Sequence, residues 1–511
     1  SDYEDVDPTF GTLADLDELI AALHARGMRL LMDLVVNHTS DEHAWFVESR
    51  RSREPGSDNA RPDWYVWRDP RPGHVGGEPG AEPTNWGSFF SGPAWEWDAT
   101  REQYYLHLFS RKQPDLDWEN PAVRAAVHTM MRWWLDRGVD GFRMDVVNFL
   151  SKDPALPDGD LLATGYGDGT PHFSYGPRIH EHLAEMQREV FAARPGTFLT
   201  VGEMPGVTPE QALAFTDAEH GQLDMVFQFE HVDLDAGESK WDERPATVAD
   251  LRASLARWQE ALGERGWNSL YWNNHDQPRV VSRFGDDGEH RRASATALAA
   301  VLNLHRGTPF VYQGEELAMG NVPFADISAF RDIESLNHYA AAVDEQGQDP
   351  AEVLAALRRK SRDNARTPMQ WTAGAHAGFT DGEPWIPVNP DHTTVNAQAQ
   401  RDDPHSVYAW YRALIRLRHE EPVVVHGDFR LLHPDHPSLY ALARTFQGRR
   451  VAVYANLGGE PIEVEHDPAD DPDHGPDGGA EVVLVNVGAG AGTTYEPWEV
   501  RILRSGAAGA P

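Results

Sequence analysis

The chain has 511 residues, 40% hydrophobic and 10% aromatic, enough for two or three domains around a large core. Its 45 Lys and Arg stand against 81 Asp and Glu, and the resulting formal charge of −36 repels nucleic acid and anionic membranes and suits a neutral or cationic substrate. No cysteine is present, which excludes disulfides, thiolate metal sites and cysteine nucleophiles; no apolar run is long enough to span a bilayer, and a monomer in a reducing cytoplasm is expected.

The predicted elements begin at once. Thr12 and Asp15 form a capping pair for a helix with Leu16, Leu19, Ile20 and Leu23 on one face, and Gly27 stops it. Met28 to Val36 is a nearly continuous apolar run, the pattern of a parallel strand buried on both faces, and it ends in Asn37 and His38. Residues 40–118 then lose any regular period and are rich in Trp, Pro, Gly and charge. That is too long for a connection and predicts an inserted small domain.

Asn120 caps the next helix and Pro121 suits its first turn, with Val123, Val127, Met130 and Trp134 at helical spacing and Gly138 as the stop. A short strand follows, with Arg143 and Asp145 at its C-terminal edge. A helix around Ile179 to Ala193 precedes a strand from Thr197 to Val201 that ends at Gly202 and Glu203, and Leu223 to Phe229 is a further strand. A helix through Leu251 to Leu262 leads to the strand Asn268 to Trp272, which ends in Asn273, Asn274, His275 and Asp276. Ala293 to His305 is an apolar helix, and Pro309 to Tyr312 a strand ending at Gln313, Gly314 and Glu315. This alternation predicts an α/β fold with a parallel sheet, and its length predicts a closed barrel. From Val423 onward, β-rich runs at Leu439 to Ala443, Arg450 to Tyr454 and Glu481 to Val487 alternate with turns, around an acidic loop at Asp467 to Gly479. The predicted domains are a barrel over 1–39 and 119–422, an insertion over 40–118, and a small all-β domain over 423–511.

Three acids thus close three strands: Asp145, Glu203 and Asp276. Breaking a glycosidic bond needs two carboxyls, one to attack the anomeric carbon and one to protonate the leaving oxygen. Arg143 points to the same face of its strand as Asp145 and favours an ionised carboxylate there. Glu203 follows an apolar strand and a glycine, where partial desolvation favours a protonated acid. His38 and His275 are suitable donors to sugar hydroxyls. Taken singly, each acid is as well explained as a helix cap or an ion-pair partner, and Trp45, Trp64 and Trp67 as core. The recurrence at the same end of successive strand–helix units is what carries the reading.

DLVVNH (Asp33 to His38), GFRMD (Gly141 to Asp145), VGEM (Val201 to Met204) and NNHD (Asn273 to Asp276) resemble the four sequence regions of the α-amylase superfamily of glycoside hydrolases. QPDLDWENP, VFQFEH, SLYWNNHDQPRVVSRFG and SRDNARTPMQW resemble its oligo-1,6-glucosidase/α-glucosidase branch. The resemblance runs from the first residue to about Arg418 and more loosely to the end. It implies a (β/α)8 barrel, a domain B inserted after the third strand and a C-terminal β-sandwich. It also implies Asp145 as nucleophile, Glu203 as acid/base and Asp276 as transition-state stabiliser. His38, Arg143 and His275 would contact the terminal glucose, and Arg366 would shape the aglycone side. Val146, next to the nucleophile, resembles enzymes that prefer α-1,6 bonds.

The implied activity is a retaining, exo-acting α-glucosidase on terminal α-1,6 or α-1,4 bonds of short oligosaccharides, with no metal or cofactor in the chemistry. Glucosyl transfer, as in trehalose or isomaltulose synthases, is the first rival. A non-catalytic amylase-like partner protein is the second, disfavoured because all three acids are present. The chain departs from the family pattern at Asp117 (Asn in QPDLN) and at Thr372 (commonly Asp). The first two barrel strands and the first helix have no counterpart, nor has the acidic loop that often holds calcium. The expectation is a fragment of a longer gene product or a misassigned start, with the longer protein active and this chain impaired.

Overall fold

The computed structural model describes residues 2–56, 59–237, 239–468 and 480–506. The chain divides into two compact units, Ser1–Phe229 and Glu230–Pro511.

In the first unit the Thr12 N–H donates to the Asp15 carboxylate while the Asp15 N–H donates to Thr12 Oγ1, the reciprocal cap predicted for the helix Leu13–His24. Strand β1 (Leu31–Leu34) follows and is shorter than the predicted Met28 to Val36. Met28 precedes the strand and is 54% exposed; the strand itself lies at a sheet edge beside Gly141–Met144, and its Asp33 is exposed. Burial on both faces, expected from the apolar run, does not hold there. The chain next forms a three-stranded antiparallel sheet from β2 (Trp67–Arg68), β3 (Trp95–Asp98) and β4 (Gln103–Leu106), in the order β2-β4-β3. Its core, built on Trp86, Trp95 and Tyr104, also contains Phe149 and Val146, the residue after Asp145.

Asn120 Oδ1 accepts from the Ala122 N–H and caps the helix Pro121–Asp136, which buries Val123, Val127, Met130 and Trp134 as their spacing predicts. Strand β5 (Gly141–Met144) pairs in parallel with β1 on one side and β6 (Leu199–Glu203) on the other, and β7 (Met225–Phe227) extends the sheet. The order is therefore β1-β5-β6-β7. Register sets Asp33 beside Arg143 and Arg143 beside Val201. Gly141 has φ +153°, and a Cβ on it would stand 2.0 Å from the Leu199 carbonyl oxygen, so only glycine allows this strand approach.

In the second unit β8 (Ser269–Leu270) pairs in parallel with β9 (Thr308–Pro309). The helices Val248–Leu262, Arg291–Asn303 and Val407–Glu420 accompany them. Beyond these lies a five-stranded antiparallel sheet ordered β10-β11-β12-β16-β14: Asp428–Leu432, Leu439–Phe446, Arg449–Asn456, Val500–Ser505 and Glu481–Val485. The short pair β13 (Ile462–Glu463) and β15 (Thr494–Tyr495) forms a second sheet. Alternation sorts the larger sheet's side chains. Tyr440, Leu442, Val451, Val453 and Ile502 pack with Trp410, Leu414 and Leu298 of the helices. Leu439, Ala441, Ala452, Tyr454 and Leu503 pack with Val464 and Tyr495. At roughly 1.5–3 kcal/mol for each large apolar side chain buried, these two layers dominate the stability of this part of the chain. The predicted acidic loop lies, from residue 469 to 479, outside the described residues.

Among the described residues no helix is long and apolar enough to cross a membrane. Among them, too, no group of three or more His, Asp or Glu side chains is placed to hold a metal ion.

Candidate active site

The sheet of the first unit brings its polar residues to one edge because its strands run parallel, so β1, β5 and β6 all end on the same side. Asp145 follows β5, and Glu203 closes β6. Arg143 lies between them. Its Nη1 is 2.7 Å from Asp145 Oδ1 and 2.9 Å from Asp33 Oδ1, and its Nη2 is 2.5 Å from Glu203 Oε1. Burial works against its charge, but Glu203, Asp33 and Asp145 outweigh burial and push its pKa above the usual arginine value. The contact with Glu203 is new. The place of Arg143 on its strand points to Asp145, and only strand order puts Glu203 within its reach as well.

Val146 adopts the left-handed conformation, φ +35° and ψ +42°, which is strained for a β-branched residue. That turn aims its N–H at Glu203, whose Oε2 accepts it at 3.3 Å. Main chain and arginine thus both tie the segment after β5 to the acid of β6. Val146 is itself buried at 4% exposure, and Glu203 at 5%.

His38 is buried as well. The Asn37 side-chain amide lies 3.3 Å from its Nδ1 and that of Gln113 lies 3.0 Å from its Nε2, while its carbonyl accepts from the Tyr3 hydroxyl at 2.7 Å. Burial lowers its pKa, against the opposing pull of Asp115 and Asp145, so the ring is neutral near pH 7. Behind it the buried Lys152 stands 3.0 Å from Asp115 and donates to Asn37 Oδ1 at 3.1 Å.

In the second unit Asp276 and His275 sit in the loop after β8. Burial opposes ionisation of Asp276, but His275, Arg362 and Arg366 prevail and hold its carboxyl below the usual range. Arg366 Nη2 is 2.6 Å and Arg362 Nη1 3.4 Å from Asp276 Oδ1. Both arginines also reach the buried Asp332, at 3.3 and 2.5 Å. Arg366, expected on the aglycone side, is therefore an ion-pair partner of Asp276, and its Nε donates to the His275 carbonyl at 3.1 Å.

Sequence reasoning passed over Asp33, Gln113 and Arg362 as site residues. Asp33 opens the motif DLVVNH and Gln113 the motif QPDLDWENP, and Arg362 stands four residues before Arg366, so each had a signal in the sequence. Asp332 had none, because its partners come from a distant segment.

Two carboxyl groups at the ends of neighbouring parallel strands, joined by one guanidinium, are the arrangement of a glycoside hydrolase. Comparison with known proteins agrees. Residues 1–427 match the family model of the alpha-amylase catalytic domain, and the chain belongs to that family. It is 52% identical over 459 residues to an oligo-1,6-glucosidase of Parageobacillus thermoglucosidasius, covering 89% of this chain and 79% of that one. It is 51% identical over 461 residues to the oligo-1,6-glucosidase of Bacillus cereus, covering 90% and 80%. Among solved structures, a trehalose-6-phosphate hydrolase of Bacillus licheniformis superimposes with a TM-score of 0.90 at 42% identity, covering 99% of this chain and 88% of that one.

Proposed function

We propose that the chain is a retaining, exo-acting α-glucosidase that cleaves terminal α-1,6 bonds of short oligosaccharides, with α-1,4 bonds the next candidates. One observation carries the reading: the Arg143 guanidinium lies within 2.7 Å of both Asp145 and Glu203 and so brings together the two carboxyls such a reaction needs. Asp145 attacks C1 while Glu203 gives its proton to the leaving oxygen, and the glycosidic bond breaks to leave a β-glucosyl ester on Asp145. Glu203, now a carboxylate, takes a proton from water, whose oxygen attacks C1 and releases α-glucose with Asp145 restored. Asp276 is assigned the stabilising role, and His38, Arg143 and His275 the binding of glucose, from their positions in the family motifs. These steps need only carboxyl groups and water, and a neutral sugar suits the chain's charge of −36. The preference for α-1,6 bonds is supported by the likeness to the oligo-1,6-glucosidases above and by Val146 beside Asp145.

The test is incubation with isomaltose, maltose, trehalose and sucrose, following products by proton NMR from the first turnovers. α-Glucose as the first anomer, with isomaltose consumed fastest, is expected. Formation of an isomeric disaccharide as main product would replace hydrolysis by glucosyl transfer, and an Asp145→Asn variant with near wild-type turnover would remove Asp145 from its role.

A further inference from the structure

Just past the parallel pair β8 and β9, two buried polar side chains from adjacent strand ends meet. Asn273, 3% exposed, donates from Nδ2 to Glu315 Oε2 at 2.6 Å, and its Oδ1 accepts the Val280 N–H at 2.7 Å. Glu315, 4% exposed, accepts at its other oxygen from the Tyr411 hydroxyl, also at 2.6 Å. The Asn273 side chain thereby closes the loop from 273 to 280, within which His275 and Asp276 lie. Inside the loop the Asp276 N–H donates to Asn274 Oδ1 at 2.7 Å. Asn273 cannot turn its amide over to suit another neighbour without giving up Val280, so what stands opposite its NH2 must be an acceptor. Leucine in place of Glu315 would leave that NH2 buried without one.

The carboxyl is held at a cost. Burial pushes its pKa up to about 7, against the hydrogen bonds from Tyr411 and Asn273, and Glu316 nearby adds to the shift. Burial and the neighbouring Glu315 raise the Tyr411 phenol in turn. A site that tolerates an ionisable group in its interior, where a neutral one is more stable, is one where position matters more than stability.

We propose that Glu315 is a positioning residue which, through Asn273, holds the loop carrying His275 and Asp276 in the geometry glycoside hydrolysis requires. The inference rests on the role assigned to Asp276 above. It concerns neither substrate contact nor proton transfer by Glu315 itself.

Four variants test it: Glu315→Leu, Glu315→Gln, Asn273→Ala and Asp276→Asn, each assayed on isomaltose for kcat and KM and checked for folding by near-UV circular dichroism and thermal melting. Glu315→Leu is expected to lower kcat at least about tenfold while KM stays within about threefold. Glutamine keeps one acceptor for Asn273 and should recover kcat to within about threefold of the wild type. Where the leucine variant does not fold, Asn273→Ala removes the other half of the clamp and is expected to show the same loss of kcat. Folded Glu315→Leu or Asn273→Ala protein with wild-type kcat, beside an inactive Asp276→Asn, overturns the inference alone, because the clamp is then merely structural. Wild-type turnover by Asp276→Asn overturns the role of Asp276 and the inference with it.

Discussion

Replacing Glu315 by glutamine takes an ionisable group out of the interior and should change how stability depends on pH. Burial moves this carboxyl from 4.5 in the unfolded chain to about 7 in the folded one. Below pH 4.5 the acid is protonated in both states and contributes no difference. As pH rises from 4.5 towards 7 the unfolded chain gives up the proton and the folded chain keeps it, so the wild type loses stability throughout that window. The loss is about 1.4 kcal/mol per pH unit and reaches roughly 3 kcal/mol, after which it stays flat. The variant has no such slope. Urea unfolding followed by tryptophan fluorescence, at pH 4.5 and pH 8, reads the contrast directly. The two proteins should be nearly equal at the lower pH, and the variant more stable by roughly 3 kcal/mol at the higher. An equal difference at both values, or a wild type more stable at pH 8, would refute the argument.

Arg143→Met removes the guanidinium shared by Asp33, Asp145 and Glu203; a melt should show a loss of about 3 kcal/mol, and an assay on isomaltose a fall in kcat of more than about a hundredfold. At position 146 the left-handed backbone reverses the usual order of small residues. Val146→Gly should be at least as stable as Val146→Ala, by about 1 kcal/mol in urea unfolding, and the opposite order would mean the backbone there is not strained. Asp117→Asn should raise the melting temperature at pH 7 and leave it unchanged at pH 3, since burial raises the Asp117 carboxyl and disfavours its ionised form in the folded chain. Asparagine keeps the acceptor that the Glu119 N–H uses at 3.0 Å.

Much of the molecule was legible from neighbours a few residues apart. The reciprocal cap of Thr12 and Asp15, the Asn120 cap and the periodic apolar face after it depend on contacts within one or two helical turns, which a sequence displays. The placing of Asp145, Glu203 and Asp276 at strand ends follows from short apolar runs halting at polar residues. Strand lengths were less legible. Met28 is as apolar as the core residues after it, yet the strand begins only at Leu31 and leaves Met28 in solvent.

The chain by itself thus determined its local elements, the parallel alternation of strand and helix, and the residue types gathered at the strand ends, because short-range capping and periodicity act over a handful of positions. Only the tertiary structure decided that Arg143 holds Glu203 as well as Asp145, that Val146 turns left-handed to reach the same acid, and that Tyr411 and Asn273 converge on Glu315. Those partners are brought together by strand order, register and burial summed over many residues, and no window of sequence contains them.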